Sequence, residues 1–588
     1  MKKYILLALG IIYYFLIQVN IVHTKHNKPS EFSFTLNSHI SQSIKLQIKA
    51  DSYEFLQISC NQEKIPFEIK GYRWFDSGGE QVIFNLHKGE NKCQALVHTK
   101  KKKFIPIVKQ KLTFFDYIVL FILLLMPIYH IVFTSFMRVL AKIKHLTRAS
   151  TAHKYNNDDT NYKLSIFLML ILFIGALIRV LYFQKFGIMH FQHDWQGHVG
   201  FIKYVANNWS LPMPTKDLQF PQQPLYYFIS AAIYDIGMKV GLSSASALFN
   251  VGYFSLFCSL AFLYYSYKLI SLLTQNKWTG SIALSFIAFT PSFVYLCARI
   301  NNDSLTMALS VFSLYYIVKS CNSNFSNSFY PALIGTSLLF LTKVTASTIE
   351  ILFFTLLIVS YIQNSSSKQT NKLKERLYVF GTIGIFLLGF TLLRTYLPIE
   401  DSFHMVNSSN AFPGQIIKSL DFSYFASFNI YELIQTGYSH VFGEDAIRYS
   451  FSTYQYGTMF FGEFKYASYI ANNEWFKKIM QVILALGLIY PLAFIIFTFK
   501  LYRSPILYKL LYATVILNLI LILNFISSYS VVCNTDFRYF TPSFVLFAFI
   551  FAQGLEYLSY NKLLKYIVST LLILLALSEV LFFVLLLK

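Results

Sequence analysis

Along this chain of 588 residues, apolar runs of about membrane length alternate with short polar connections. The runs lie near 4–22, 114–136, 164–184, 249–272, 279–298, 303–320, 329–343, 347–363, 378–397, 478–501, 505–527, 541–559 and 565–587. Each is close to the roughly 20 residues a helix needs to cross the hydrocarbon core, so the pattern predicts about 13 spans. One further apolar piece, "PLYYFISAAIYDIGMKVG" (224–241), is expected to lie along the membrane surface. If it spanned, the basic loop "NSSSKQTNKLKER" (364–376) would fall outside, against the positive-inside bias.

Only residues 23–112 change period. There "SIKLQIKA", "EFLQISC" and "EQVIFNL" alternate apolar and polar positions between turn residues, which predicts a small antiparallel β domain. Cys60 and Cys93 both fall inside it, either as a disulfide or as two buried thiols. The expected fold class is mainly α, a polytopic membrane helix bundle with a small extracytoplasmic β domain near the N-terminus. The expected divisions are a signal-anchor span (1–22), the β domain (23–112), a second span with a basic cytoplasmic loop (113–163) and a membrane core (164–588) with outer loops at 184–248 and 399–474.

Composition agrees with a membrane bundle. Hydrophobic residues make up 55% of the chain and charged residues 13%, more apolar side chain than one soluble core hides. The net charge of +22 is spread over short loops rather than gathered on a helix or groove, so nucleic acid is not an expected partner. The segment "RVLAKIKHLTRASTAHKYNNDDTNYK" concentrates basic residues where the chain is expected to be cytoplasmic. With that orientation, "MHFQHDWQGH" (189–198), "RINNDS" (299–304), Lys343 and "NTDFRYFTP" (534–542) all fall at outward ends of spans. One extracytoplasmic site is therefore expected. After Asp194, the segment to Trp209 has the apolar spacing of an amphipathic helix, on which Asp194 and His198, four apart, share a face.

The ordered set "HDWQGHVGFIKYVANNWSLP", "FPQQPLYYFISA", "FTPSFVYLCARINNDSL", "FLTKVTAS" and "DFRYFTPSF" resembles the GT-C superfamily of integral-membrane glycosyltransferases. The similarity is to the branch of protein O-mannosyltransferases and the lipid A aminoarabinose transferase, and it covers about 164–560. Such proteins carry an essential acid in the first outer loop, then two juxtamembrane helices, the second opening on a Pro-Pro-Leu-like motif. This chain has Gln223-Pro224-Leu225 there, and Asp194 is followed by Trp195 where many members have Glu. The resemblance implies transfer of a sugar from a polyprenyl-phosphate donor to a glycan, lipid or protein acceptor on the outer face of a bacterial-type inner or plasma membrane.

In that chemistry Asp194 is the candidate general base, with an interfacial or capping carboxylate as the alternative. Asp303 is a second candidate acid that also suits the N-cap of the following helix. Lys343, Arg299 and Arg538 are candidate phosphate ligands, a guanidinium matching two phosphate oxygens at once, although Lys343 and Arg299 also suit snorkelling to head groups. His193 and His198 either polarise Asp194 and touch substrate or are ordinary interfacial histidines. Tyr226 and Tyr539, from the "PLYY" and "FRYF" motifs, complete the candidate substrate contacts. No cofactor is expected; a divalent metal is the weaker alternative, since one Asp with nearby His is a poor ligand set. The rival class is a transporter or flippase, or an inactive scaffold. The absence of a visible internal repeat and the grouping of charges at the outer edges of spans favour an enzyme over a transporter.

Overall fold

The computed structural model describes the strand segments between Val19 and Gln110 and, from Ile166 to Leu587, all residues except 189–193, 214–216, 218, 275, 323–327, 365–366, 392–393, 395–416, 418, 437–448, 465, 529 and 559–560. The expected span at 114–136, the basic loop after it, most of the run at 4–22, His193 and much of the 399–474 loop lie outside the described residues. The chain divides into two compact units: residues 1–142 with 213–221 and 378–406, and residues 143–212, 222–377 and 407–588.

Among its described residues the first unit carries nine strands, β1 (Val19–Lys28), β2 (Glu31–Ser38), β3 (Gln42–Ile48), β4 (Tyr53–Cys60), β5 (Glu63–Lys64), β6 (Glu68–Lys70), β7 (Gln81–Leu86), β8 (Gly89–Thr99) and β9 (Pro106–Gln110). They form two sheets, ordered β1-β2-β8-β4-β5 and β6-β7-β3-β9, with antiparallel pairing throughout. β1 begins at Val19, so the end of the expected 4–22 span is strand: in "VNIVHT" apolar and polar positions already begin to alternate. Pro106 opens β9 at the edge of its sheet, where a missing N–H costs no ladder bond. Cys60 and Cys93 face each other in the β4–β8 register and are joined as a disulfide, which decides between the two readings of the sequence.

The second unit is helical. Its first elements are α1 (Ile166–Phe186), α2 (Trp195–Asn208), α3 (Leu225–Lys239), α4 (Ser244–Leu273), α5 (Lys277–Phe289), α6 (Pro291–Tyr295), α7 (Asp303–Asn322), α8 (Phe329–Phe340) and α9 (Val344–Asn364). α10 (Ser367–Thr391) begins in the lysine-rich segment and runs on into residues of the first unit. Short helices α11 (Phe422–Ala426), α12 (Ile430–Thr436), α13 (Phe451–Phe461) and α14 (Ala467–Asn472) precede α15 (Glu474–Gly487), α16 (Ile489–Lys500), α17 (Ile506–Ser528), α18 (Phe544–Leu558) and α19 (Lys562–Leu587). α18 is led in by a 3-10 turn over Phe537–Ser543.

Among the described residues, seven helical segments are long and apolar enough to cross a membrane: 166–186, 244–273, 303–321, 474–503, 506–527, 537–558 and 562–587. The protein is an integral membrane protein. α3, at 15 residues, is about 22 Å long and too short to span.

The expected span at 279–298 is not one helix. Proline lacks the amide hydrogen that would continue the ladder, so α5 stops at Phe289 and Pro291 starts the short α6. The break leaves the carbonyl of Ile287 without its usual partner four residues on, and the fully buried Arg179 of α1 takes its place. Its Nη2 donates to Ile287 O at 3.0 Å and its Nη1 to Ala288 O at 2.8 Å and to Gly175 O at 2.9 Å, while Nε donates to Ser259 Oγ at 3.0 Å. Gly175 permits this approach of α1 to α5, since a Cβ there would meet the Ala288 Cβ at 2.9 Å.

Candidate active site

Helix ends converge within the second unit. The α3 N-terminus is tied to the end of α8 by Leu225 N–H donating to Leu341 O at 2.9 Å. Asn302 Nδ2, at the entrance to α7, donates to Thr342 O at 3.1 Å and to Gln222 Oε1 at 2.5 Å. Backbone and amide bonds thus bring together three of the five motifs, with the remaining two joining through their charges.

Asp194 precedes α2 and adopts a left-handed backbone, φ 55°, with no side-chain cap bond. A non-glycine residue rarely holds that conformation without support. Its side chain is 45% exposed, and its Oδ2 lies 3.8 Å from Arg538 Nη2. Arg538 is held more firmly by Asp536, whose Oδ2 lies 3.3 Å from Arg538 Nε and whose Oδ1 accepts the Arg538 backbone N–H at 3.1 Å. Lys343 Nζ donates to Asp303 Oδ1 at 2.6 Å. Both Lys343 and Arg538 stand over the Tyr539 ring, at 5.6 and 5.4 Å from its centroid. The structure therefore places Asp194, Asp303, Lys343, Arg538 and Tyr539 in one cluster.

Asp303 has a different partner from the one a cap would need. Its carboxylate goes to Lys343, and Asn301 Oδ1 accepts the Asp303 N–H at 3.2 Å instead. Arg299 does not snorkel. It is 3% exposed, stacks over Phe464 with its Cζ 4.6 Å from the ring centroid, and its Nε has no hydrogen-bond partner among the described residues. Burial, followed by the nearby Arg538 charge, pulls its guanidinium below the usual arginine range.

His198 and Tyr226 are placed differently from the sequence expectation. His198 is buried, its Nδ1 shares a 2.7 Å hydrogen bond with the Tyr227 hydroxyl, and burial lowers its pKa to about 4, so it is neutral at physiological pH. Its backbone N–H bonds Asp194 O at 3.2 Å, as the four-residue spacing implies. Tyr226 is fully buried with its hydroxyl 3.4 Å from Ser255 Oγ, which in turn donates to Arg299 O at 2.7 Å. It is a packing residue, because the phase of α3 turns Tyr227 toward α2, where that ring stacks on Phe201 at 3.8 Å between centroids.

The site also contains groups that the sequence did not single out. Glu463 follows Gly462, which is at φ 62°, and is only 2% exposed; Tyr454 donates to its Oε1 at 2.5 Å. Burial, reinforced by the Asp536 charge, pushes Glu463 up to about 8, so it keeps its proton at pH 7. Burial likewise lifts Asp536 above the usual carboxylate range, against the pull of Arg538. The available signal is Glu463's place as the one acid within the apolar stretch "MFFGEF", where it is one of eight acids spread over residues 399–474. Among the described residues no three His, Cys, Asp or Glu side chains group as a metal site.

A family model described as "Predicted membrane protein (DUF2142)" matches residues 189–547. No curated protein sequence matches at a significant level. Among solved structures, the chain is similar to the oligosaccharyltransferase AglB of Archaeoglobus fulgidus in complex with an inhibitory peptide and a dolichol-phosphate. The identity is 12% and the TM-score 0.38, over 71% of this chain and 55% of that one, so this chain spans little more than half its length. It is also similar to ArnT of Cupriavidus metallidurans bound to undecaprenyl phosphate, at 10% identity and TM-score 0.29, over 66% of this chain and 76% of that one. The arabinosyltransferase EmbB of Mycobacterium smegmatis matches at 10% identity and TM-score 0.31, over 94% of this chain and 58% of that one.

Proposed function

The chain belongs to the DUF2142 family of predicted membrane proteins, whose matched residues enclose the whole charged cluster, and from the chemistry of that cluster we propose that it is a membrane glycosyltransferase using a polyprenyl-phosphate-linked sugar. The acceptor is a hydroxyl or amine of a glycan, lipid or protein at the extracytoplasmic face. Asp194 takes the acceptor proton as the acceptor atom attacks the anomeric carbon. The bond from that carbon to the phosphate oxygen breaks, its electron pair leaves on the polyprenyl phosphate, and back-side attack inverts the anomeric centre. Arg538, Lys343 and Arg299 hold the phosphate oxygens, with Tyr539 beneath the first two cations.

The observation that carries this reading is the half-exposed Asp194, in a left-handed backbone, beside Arg538, which shares the Tyr539 ring with Lys343. A base and an anion site in contact are what group transfer from a phosphate requires. The Cys60–Cys93 disulfide supports an oxidising exterior for the β domain, consistent with the one-sided basic loops.

The test is a deletion strain carrying either wild type or Asp194→Asn, with surface glycolipids and glycoproteins read by mass analysis. A sugar present with wild type and missing with the variant, at equal membrane levels of protein, is expected. No difference between the deletion and the wild-type strain in any glycan would overturn the proposal.

A further inference from the structure

The cations of this site are not equally committed. Lys343 is locked to Asp303, which is only 8% exposed, at 2.6 Å. One edge of the Arg538 guanidinium is occupied by Asp536, 4% exposed and fixed in turn by the Arg538 backbone N–H. Among the described residues, the ion-pair partner of its other edge, Nη2, is the half-exposed Asp194, at 3.8 Å, beyond hydrogen-bond length. Asp194 has no side-chain cap bond to hold it.

We propose that the donor phosphate displaces Asp194 from Arg538, so that the base becomes available only once the donor is bound. The inference rests on the glycosyltransferase reading and adds to it an order of events. A phosphate oxygen brought onto Nη2 makes a charge-assisted bond at about 2.7–2.9 Å, stronger than an exposed contact at 3.8 Å. Asp536 stays, because it is buried and doubly held. The outgoing Asp194 then presents both carboxylate oxygens to the acceptor, beside the phosphate that now marks the position of the sugar. In the empty site the same carboxylate occupies the edge that the donor needs, so one guanidinium edge serves two successive anions.

The experiment uses the purified full chain in detergent with polyprenyl monophosphate as probe. Wild-type protein is treated with a carbodiimide and an amine, with and without the probe, and modification of Asp194 is read by mass spectrometry. Saturating probe is expected to raise Asp194 labelling at least twofold while Asp536 labelling stays low. In parallel, Asp194→Asn is expected to bind the probe about two- to fivefold tighter than wild type, the range set by release of one exposed ion pair. Asp194 labelling that falls or stays level, or a variant that binds no tighter, overturns the exchange while leaving the transferase reading standing. Absence of probe binding by wild type overturns both.

Discussion

Replacing Glu463 by glutamine keeps its shape and its acceptor for the Tyr454 hydroxyl but removes a titrating group from the centre of the site. In the folded protein this carboxyl is pushed up to about 8 from an ordinary 4.5, by burial first and by the Asp536 charge second. A raised carboxyl favours the protonated form in the folded state, so the stability it contributes is full below about 4.5 and is lost as pH rises toward about 8. At about 1.36 kcal/mol for each pH step in which only the unfolded chain ionises, wild type loses about 2 kcal/mol between pH 6 and pH 8 through this residue. Glu463→Gln carries no such loss. Thermal unfolding of the two proteins in detergent, repeated from pH 5 to pH 9, should show a gap in favour of the variant that widens up to about pH 8 and then levels. Curves that stay parallel across this range would show that Glu463 is ionised in the folded state, and the account of its burial would be wrong.

Three other outcomes are expected. Arg538→Ala should eliminate measurable transfer and Arg538→Lys should weaken both polyprenyl-phosphate binding and turnover about tenfold or more, since lysine cannot present two parallel donors; normal donor binding by the lysine variant would remove the phosphate role. Asp536→Ala should leave Arg538 a buried cation short of its firmest partner and lower stability by about 3 kcal/mol, read by the unfolding midpoint; no loss would mean that the pair contributes nothing. Arg179→Leu should destabilise the helical unit by about 2–5 kcal/mol by stranding the Ile287 and Ala288 carbonyls, with residual transfer activity per folded molecule unchanged.

Much of the helical framework is legible where apolar runs are uninterrupted. The expected spans at 164–184, 249–272, 303–320, 505–527 and 565–587 each overlap one helix to within a few residues, because continuous apolar length is the property that both the pattern and the bilayer select. The 279–298 run fails for a reason that composition does not register: one absent N–H at Pro291. Alternation locates the strands of the β domain, but it carries nothing about which strands pair, and β8 lies between β2 and β4 only because of long-range register.

In the site, positional charge at helix ends was enough to bring out Asp194, Asp303, Lys343 and Arg538. The distinction between Tyr226 and Tyr227 was not available, since one residue of helical phase turns a side chain by about 100° and only the packing of α2 on α3 sets that phase. Glu463 became significant through burial, a tertiary property at which the apolar stretch around it only hints.

Arg179 also bears on how the chain is made. Two of the carbonyls it satisfies belong to residues synthesised 108 and 109 positions later, so α1 leaves the ribosome with a guanidinium of whose partners only the Gly175 carbonyl yet exists. A charge at that depth costs an emerging helix about 2.5–3.5 kcal/mol at the insertion machinery. α1 is therefore expected to linger beside the translocon until the α5 end has emerged, and the two to enter the lipid as a pair. Cross-linking of nascent chains of increasing length should show α1 released only after residue 288 is exposed, and Arg179→Leu should release it early. Equal release of both chains at every length would show that the helix enters the lipid alone.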